Sequence, residues 1–281
     1  MERFNSRLVY VHEGLREFLR TLAALGGYCT VQQAKSLGIA GWDKGVRGRL
    51  RMLERLRFLR RVTKYPVVYQ VTKATTRLLG QDSSIRRRHT LVTVQGRLLG
   101  VHFYLEANDW PATFALDHEE KITVFRGVGC PLNVLPHRGG KPYLREHFVF
   151  WLPDFRIGIA MIDQPGPGEF VRLRVFLRQF LPVLRGCPRE LLDLFIVTAD
   201  QRRRFAYQKL LQRSRAILKL GVGPLLGRIK PYCVQPPVPT IAEAIWPKTD
   251  KYDALADLGD DSDDLRDDDS GHKSVVRLIG E

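Results

Sequence analysis

Between Leu15 and Gly80 the apolar residues change their repeat, and the order of the changes narrows the folds open to this stretch. Leu15, Phe18, Leu19, Leu22 and Leu25 recur at helical spacing and stop at Gly26-Gly27. Thr30 is placed to cap a second, short helix through Ser36. Leu37-Gly38-Ile39 then supplies a turn, and Asp43 caps a third helix running to about Leu59. The repeat next falls to two. Val62 to Tyr65 and Val67 to Val71 are β-branched and aromatic, and Pro66 between them suits a hairpin whose edge strand is open on one side. Thr72 caps a last short helix, Lys73 to Leu79, closed by Gly80. Helix, short helix, turn, helix and hairpin is the order of a winged helix-turn-helix.

The third helix divides into two faces. Lys44, Arg47, Arg51 and Arg55 fall on one side of an ideal 3.6-residue helix, opposite Val46, Leu50 and Leu53. A helix with that division packs its back on a domain and offers its front to phosphates and base edges in a DNA major groove. At the hairpin, Arg60, Arg61 and Lys64 suit phosphate contact from a wing, and equally suit the charged guarding of an exposed strand edge. Tyr65 and Tyr69 are expected to pack across the strands rather than to stack on bases.

The charge distribution points the same way. The 281 residues carry a formal net charge of +15, but residues 250–281 hold 11 acidic and 4 basic side chains, which leaves 41 basic against 19 acidic before them. A folded body with that surplus favours a polyanion, because each phosphate contact releases condensed counterions. No run of about 18 apolar residues offers a membrane span and no signal-peptide pattern opens the chain, so a cytoplasmic location is the expectation. Cys29, Cys130, Cys187 and Cys233 are far apart and form no CxxC pair, which predicts buried, reduced thiols. The seven histidines show no HxxxH or HExxH spacing, and no structural metal is expected.

Beyond Gly80, polar residues 81–89, with Arg86, Arg87 and Arg88, read as a basic linker able to track a phosphate backbone. Thr90 to Ala107 predicts a long helix, followed by strands at Ala112 to Leu116, Ile122 to Arg126, Phe148 to Leu152 and Arg156 to Ile162. The last two are apolar on nearly every residue, as strands covered on both faces are. A helix from Glu169 to Leu184, a strand from Leu194 to Thr198 and a basic helix from Gln201 to Leu218 complete a mixed α/β sandwich over 90–220. Arg202, Arg203 and Arg204 read as a nucleic-acid patch or as a solvated helix side. Residues 221–246 are a Gly/Pro-rich extension. Residues 247–281 are an acidic tail with too little apolar surface to offset its ordering entropy, expected to be disordered.

Two short stretches resemble one family. Val67-Val68-Tyr69-Gln70-Val71-Thr72 through Leu79-Gly80, and Leu152-Pro153-Asp154 followed by Ile159-Ala160-Met161-Ile162-Asp163, are similar to motifs of the replication-relaxation family of plasmids and other mobile elements. The resemblance spans about residues 15–200. It implies a winged-helix protein that binds DNA sequence-specifically in replication, mobilisation or transfer of such an element, or in their regulation. The second half also resembles the restriction-endonuclease-like fold of PD-(D/E)xK nucleases. There an aspartate, an acidic residue on the next strand and a lysine two places later hold a divalent metal and activate water. Here Asp154 fills the first place and Asp163 is the candidate for the second, with Glu106 or Glu146 as further carboxylates. Met161 replaces the usual acidic residue, and Gln164-Pro165 follows Asp163 where a lysine is needed.

The expected fold is therefore α+β: a winged helix-turn-helix over 1–80, then an endonuclease-like domain reused for binding. The expected partner is double-stranded DNA, with a homodimer across the Thr90 to Ala107 helix and no membrane partner. A Mg²⁺- or Mn²⁺-dependent endonuclease using Asp154 and Asp163, and a protein adaptor whose basic faces meet acidic protein, are the alternatives.

Overall fold

The computed structural model describes residues 9, 11–39, 43–64, 66–80, 90–110, 112–144, 147–153, 155–164, 168–188 and 191–234. The basic linker with Arg86, Arg87 and Arg88, Asp154, and the acidic tail lie outside them. The protein is mixed α/β. Its N-terminal part runs α1 (Glu13–Ala24), β1 (Tyr28–Thr30), α2 (Val31–Ser36), α3 (Asp43–Arg55), β2 (Leu59–Lys64), β3 (Val67–Val71) and α4 (Lys73–Leu78).

Capping explains the helix limits. Thr30 accepts from the Gln33 amide at 3.1 Å while the Gln33 side chain accepts from the Thr30 amide at 3.1 Å, a capping box that starts α2. α1 and α2 end in the same six-residue closure, with Gly27 N bonded to Leu22 O at 2.8 Å and Ile39 N to Ala34 O at 3.2 Å. α3 closes likewise, through Phe58 N to Leu53 O and Arg57 N to Glu54 O, both 2.9 Å. Arg57 takes the left-handed position at φ 63°. This closure ends α3 at Arg55, four residues before the Leu59 expected from helix propensity, and Leu59 opens β2 instead.

The hairpin β2/β3 is antiparallel, with a bulge between Arg61 and Thr63. β1 pairs with the other edge of β3, giving the order β1-β3-β2, so β3 is central. Only three residues long, β1 is below the length at which a period-two pattern shows in sequence. Leu15, Phe18, Leu19, Leu22, Val46, Leu50, Leu53, Phe58 and Val71 form the core beneath.

The second part runs α5 (Leu91–Ala107), β4 (Thr113–Ala115), α6 (His118–Gly127), a small hairpin β5 (His137–Arg138) and β6 (Lys141–Pro142), β7 (Phe148–Trp151), β8 (Ile157–Ile162), α7 (Glu169–Gly186), β9 (Leu192–Thr198), α8 (Gln201–Arg213), α9 (Arg215–Leu218) and β10 (Ile229–Cys233). The five-stranded sheet has the order β10-β9-β8-β7-β4. β8, β9 and β10 are parallel, while β7 and β4 are antiparallel to their neighbours. Ile157 and Ile159 of β8 face a core with Phe176, Leu177 and Phe180 of α7; Ala160 faces Leu99 and Phe103 of α5. Both faces are covered, as the continuous apolar runs required.

Four expectations need correction. Ile122 to Arg126 is not a strand but lies within α6, which Asp117 and Glu120 start with a capping box. That local signal overrides the β-branched Ile122, Thr123 and Val124. The helix expected from Gln201 to Leu218 breaks at Ser214, whose ψ of 109° is extended. The Gly/Pro-rich extension contributes β10, whose pairing with β9 supplies what its sequence lacks in regularity. Finally, Cys130 and Cys187 are not reduced thiols but a disulfide, their Cα atoms 4.6 Å apart across a sequence separation of 57. The ends of α6 and α7 bring them together; Cys29 and Cys233 are free and buried.

Candidate nucleic-acid interface

α3 is fixed from behind. Val46, Leu50 and Leu53 have no exposed surface, and Arg49 donates to Ile39 O, holding the turn that precedes the helix. Arg47, Arg51 and Arg55 on the front are exposed and make no hydrogen bond or ion pair with any described residue. Lys44 lies in the first turn of α3; its side chain and that of Lys64 are outside the described residues.

The hairpin is tied to the helix that precedes it and to the one that follows. Thr75 Oγ1 donates to Phe58 O at 2.9 Å and Thr72 Oγ1 to Arg57 O at 3.0 Å, locking the start of α4 onto the α3–β2 connection. Arg60 donates to Gln70 Oε1 at 2.8 Å across the strands, so it anchors the hairpin. Arg61 is exposed and faces Glu54 of α3 at 3.5 Å, a solvated pair worth under about 1 kcal/mol that leaves it available to a phosphate. Tyr69 is buried in the core, and burial raises its hydroxyl pKa, which fits packing rather than base stacking. Arg57 joins the exposed set unforeseen by the helical wheel, because it belongs to the closure of α3 rather than to its regular turns.

Of the second sequence-derived site, Asp163 is engaged by other side chains of the protein. Asp163, at the end of β8, is 1 % exposed. Its Oδ1 accepts from Tyr207 at 2.6 Å and from Arg172 Nε at 3.1 Å, and its Oδ2 accepts from Arg203 Nε. Arg203 also pairs with Glu169 at 3.0 Å and donates to Gln164 O at 3.1 Å. Burial raises the Tyr207 pKa, and the Asp163 charge adds to the effect, keeping that hydroxyl a donor. A carboxylate gripped by two guanidiniums and a phenol is electrostatically hostile to a divalent cation. The same bonds remove Arg203 from the surface patch expected of Arg202, Arg203 and Arg204; Arg202 alone of the three is exposed, and Arg204 reaches Gln201 at 3.3 Å.

A second buried carboxylate, Asp193 of β9, was not singled out by the sequence. It is paired with Arg156 and with Lys230, each at 2.6 Å. Glu106, offered by the sequence as a further metal ligand, accepts from the Tyr232 hydroxyl. Among the described residues no three His, Cys, Asp or Glu side chains stand together as a metal site, and no helix is long and apolar enough to cross a membrane. The long helix α5 is turned largely inward: Val94 to Gly96, Leu98 to Phe103 and Ala107 are buried within the fold. No family model, curated protein or solved structure matches the chain.

Proposed function

We propose that the chain is a sequence-selective double-stranded DNA-binding protein whose first 80 residues act as a winged helix-turn-helix, with α3 as the reading helix and β2/β3 as the wing. The observation that carries this reading is the row of exposed Arg47, Arg51 and Arg55, with no hydrogen bond or ion pair among the described residues, on the face opposite a fully buried Val46, Leu50 and Leu53. Cationic side chains so placed are able to exchange counterions for phosphates and to take guanine edges bidentately. Arg61, and Lys64 beyond it, then serve as phosphate anchors beside the groove.

The motifs at Val67 to Gly80 and Leu152 to Asp163 support a role like that of replication-relaxation proteins: a regulator or accessory factor in replication, mobilisation or transfer of a plasmid or other mobile element. Helix α5, the antiparallel strands β4, β7 and β8, helix α7 and parallel strand β9, with α6 inserted between β4 and β7, support an endonuclease-like scaffold for the second part. The ion pairs of Asp163 favour a binding over a cleaving use of it. A homodimer on repeated half-sites, if formed across α5, would have only the outer positions of that helix, such as Val92, to use.

The test is enrichment of bound sequences from a randomised duplex pool, with a parallel Mn²⁺ incubation on a gel. An enriched motif with intact DNA is expected, and Arg47→Ala with Arg51→Ala should cost about 1 to 3 kcal/mol for each lost bidentate base contact. Salt-labile binding without a motif would remove sequence reading from α3. Cleavage lost in Asp154→Ala would replace the proposal with the nuclease.

A further inference from the structure

Glycine is the poorest helix former after proline, so a glycine well inside a helix calls for a local reason. Two in α5 have one. A Cβ on Gly96 would stand 2.9 Å from Gln164 Cγ, and a Cβ on Gly100 would stand 2.9 Å from Phe148 Cζ. Both glycines let α5 approach other parts of the same chain. Gly48, in the middle of α3, has no such reason: it is exposed, and nothing lies within 4 Å of the place its Cβ would occupy. No described atom of the protein excludes a side chain there.

The position of that gap is informative. At about 100° per residue, Gly48 falls within roughly 60° of Lys44, Arg51 and Arg55, one turn after the first and one and two turns before the others. Arg47 lies about 100° away on the same side, so Gly48 is a notch at the edge of the cationic row, beside Arg55. The midpoint of a helix lying in a major groove faces the groove floor, where base edges are, while the phosphates line the walls. Omitting one Cβ there lets the backbone settle deeper by about one C–C bond, roughly 1.5 Å, with the cationic stems beside it.

We propose that Gly48 is the closest-approach point of α3 on duplex DNA, where the helix backbone lies directly against a base-pair edge, and that it sets specificity at that base pair. The proposal rests on the duplex-binding reading above. It assigns the lost helix stability to recognition, because an added methyl group would improve the free helix and collide with the bound base pair.

The two consequences have opposite signs, which makes the test sharp. Full-length wild type, Gly48→Ala and Gly48→Ser are compared by thermal melting and by titration against the enriched duplex and a scrambled one. Gly48→Ala should raise Tm by about 2 to 4 °C, since alanine is the better helix former. It should weaken binding to the enriched duplex at least about tenfold, on the scale of a mismatched base pair. Binding to the scrambled duplex, held by phosphate contacts, should change less than about twofold. Unchanged affinity for the enriched duplex in both variants would overturn the proposal. So would equal losses on the two duplexes, which would place the close approach at a phosphate wall. A wild type that binds no duplex would sink the duplex reading itself, an outcome seen without any Gly48 variant.

Discussion

Replacing Asp163 by asparagine separates a structural carboxylate from a metal ligand. The side chain keeps its shape and one carbonyl oxygen, which can still accept from Tyr207 and Arg172 in the place of Oδ1. Its amide nitrogen must then face the Arg203 Nε–H, donor against donor, where Oδ2 now accepts. The Arg203 side chain is only 15 % exposed and Arg172 25 %, so neither guanidinium can recover full hydration by turning outward. Breaking a buried pair from one side typically costs about 3 to 5 kcal/mol, because the surviving charge is left unpaired. Glu169 still holds Arg203 at 3.0 Å, which places this case at the lower end, about 3 kcal/mol. For a chain of this size that is a fall in Tm of about 6 to 12 °C. Thermal and urea melts followed by circular dichroism give the number, and an Asp163→Asn/Arg203→Met double variant should recover part of the loss. If Asp163 instead awaited a divalent cation, its removal would leave the metal-free melt unchanged or raise it, and Mg²⁺ would stabilise the wild type alone. Either result would refute the ion-pair assignment.

Two further perturbations test other parts of the structure. Cys130→Ser with Cys187→Ser opens a loop with a sequence separation of 57, for which the chain-entropy relation gives about 4 kcal/mol; the loss should match that caused by reductant on the wild type. A wild-type Tm indifferent to reductant would count against the bond. His147 is pushed down to about 4 by burial and then by the Lys121 charge, against a hydrogen bond with Gln179. The folded state therefore resists protonation that the unfolded chain accepts, and stability should fall as pH drops from about 6.5 to 4, by at most about 3 kcal/mol. His147→Phe should flatten the stability profile across that window, and an unchanged acid slope would place the loss on other groups.

How much of this was legible in sequence depended on where the deciding interaction lies. The helices within 13–78 and over 91–107 carry their own periodicity and caps, so Thr30, Thr72 and Thr90 were readable as starting points, and the structure uses all three. β1 and β10 exist because β3 and β9 lie beside them; three and five residues carry no period that could announce it. Ile122 to Arg126 failed for the opposite reason, since β-branched residues outweighed an Asp117 cap that in the structure decides the matter. The exposed face of α3 followed from spacing alone. The role of Asp163 did not, because its partners Arg172, Arg203 and Tyr207 stand 9, 40 and 44 residues away. Arg202 to Arg204 likewise read as a patch or a solvated helix side, whereas the turn of α8 sends Arg203 inward to Asp163.

The second part of the chain acquires a physical role through α5, which belongs to both cores. Its Val94 and Leu98 pack with Tyr28 of β1 and Val68 of β3, while Leu99 and Phe103 pack with Phe150 and Phe195 of the five-stranded sheet. Polar bonds reinforce the first contact: Gln33 of α2 donates to Leu98 O at 2.8 Å, and Arg97 donates to Gly26 O at 2.7 Å. Gln33 is also the residue that closes the α2 capping box, and α2 sits directly before α3, the helix proposed to read DNA. A reading helix gains from being held still, since every side chain immobilised only on binding subtracts from affinity. The close approaches of Gly96 to Gln164 and of Gly100 to Phe148 carry that support on to β7 and to the end of β8, one residue from the Asp163 network. If α3 reads DNA as proposed, the buried ion pairs of Asp163 support it without touching DNA: they fix the strand end against which α5 is seated, and α5 in turn fixes the platform beneath α3.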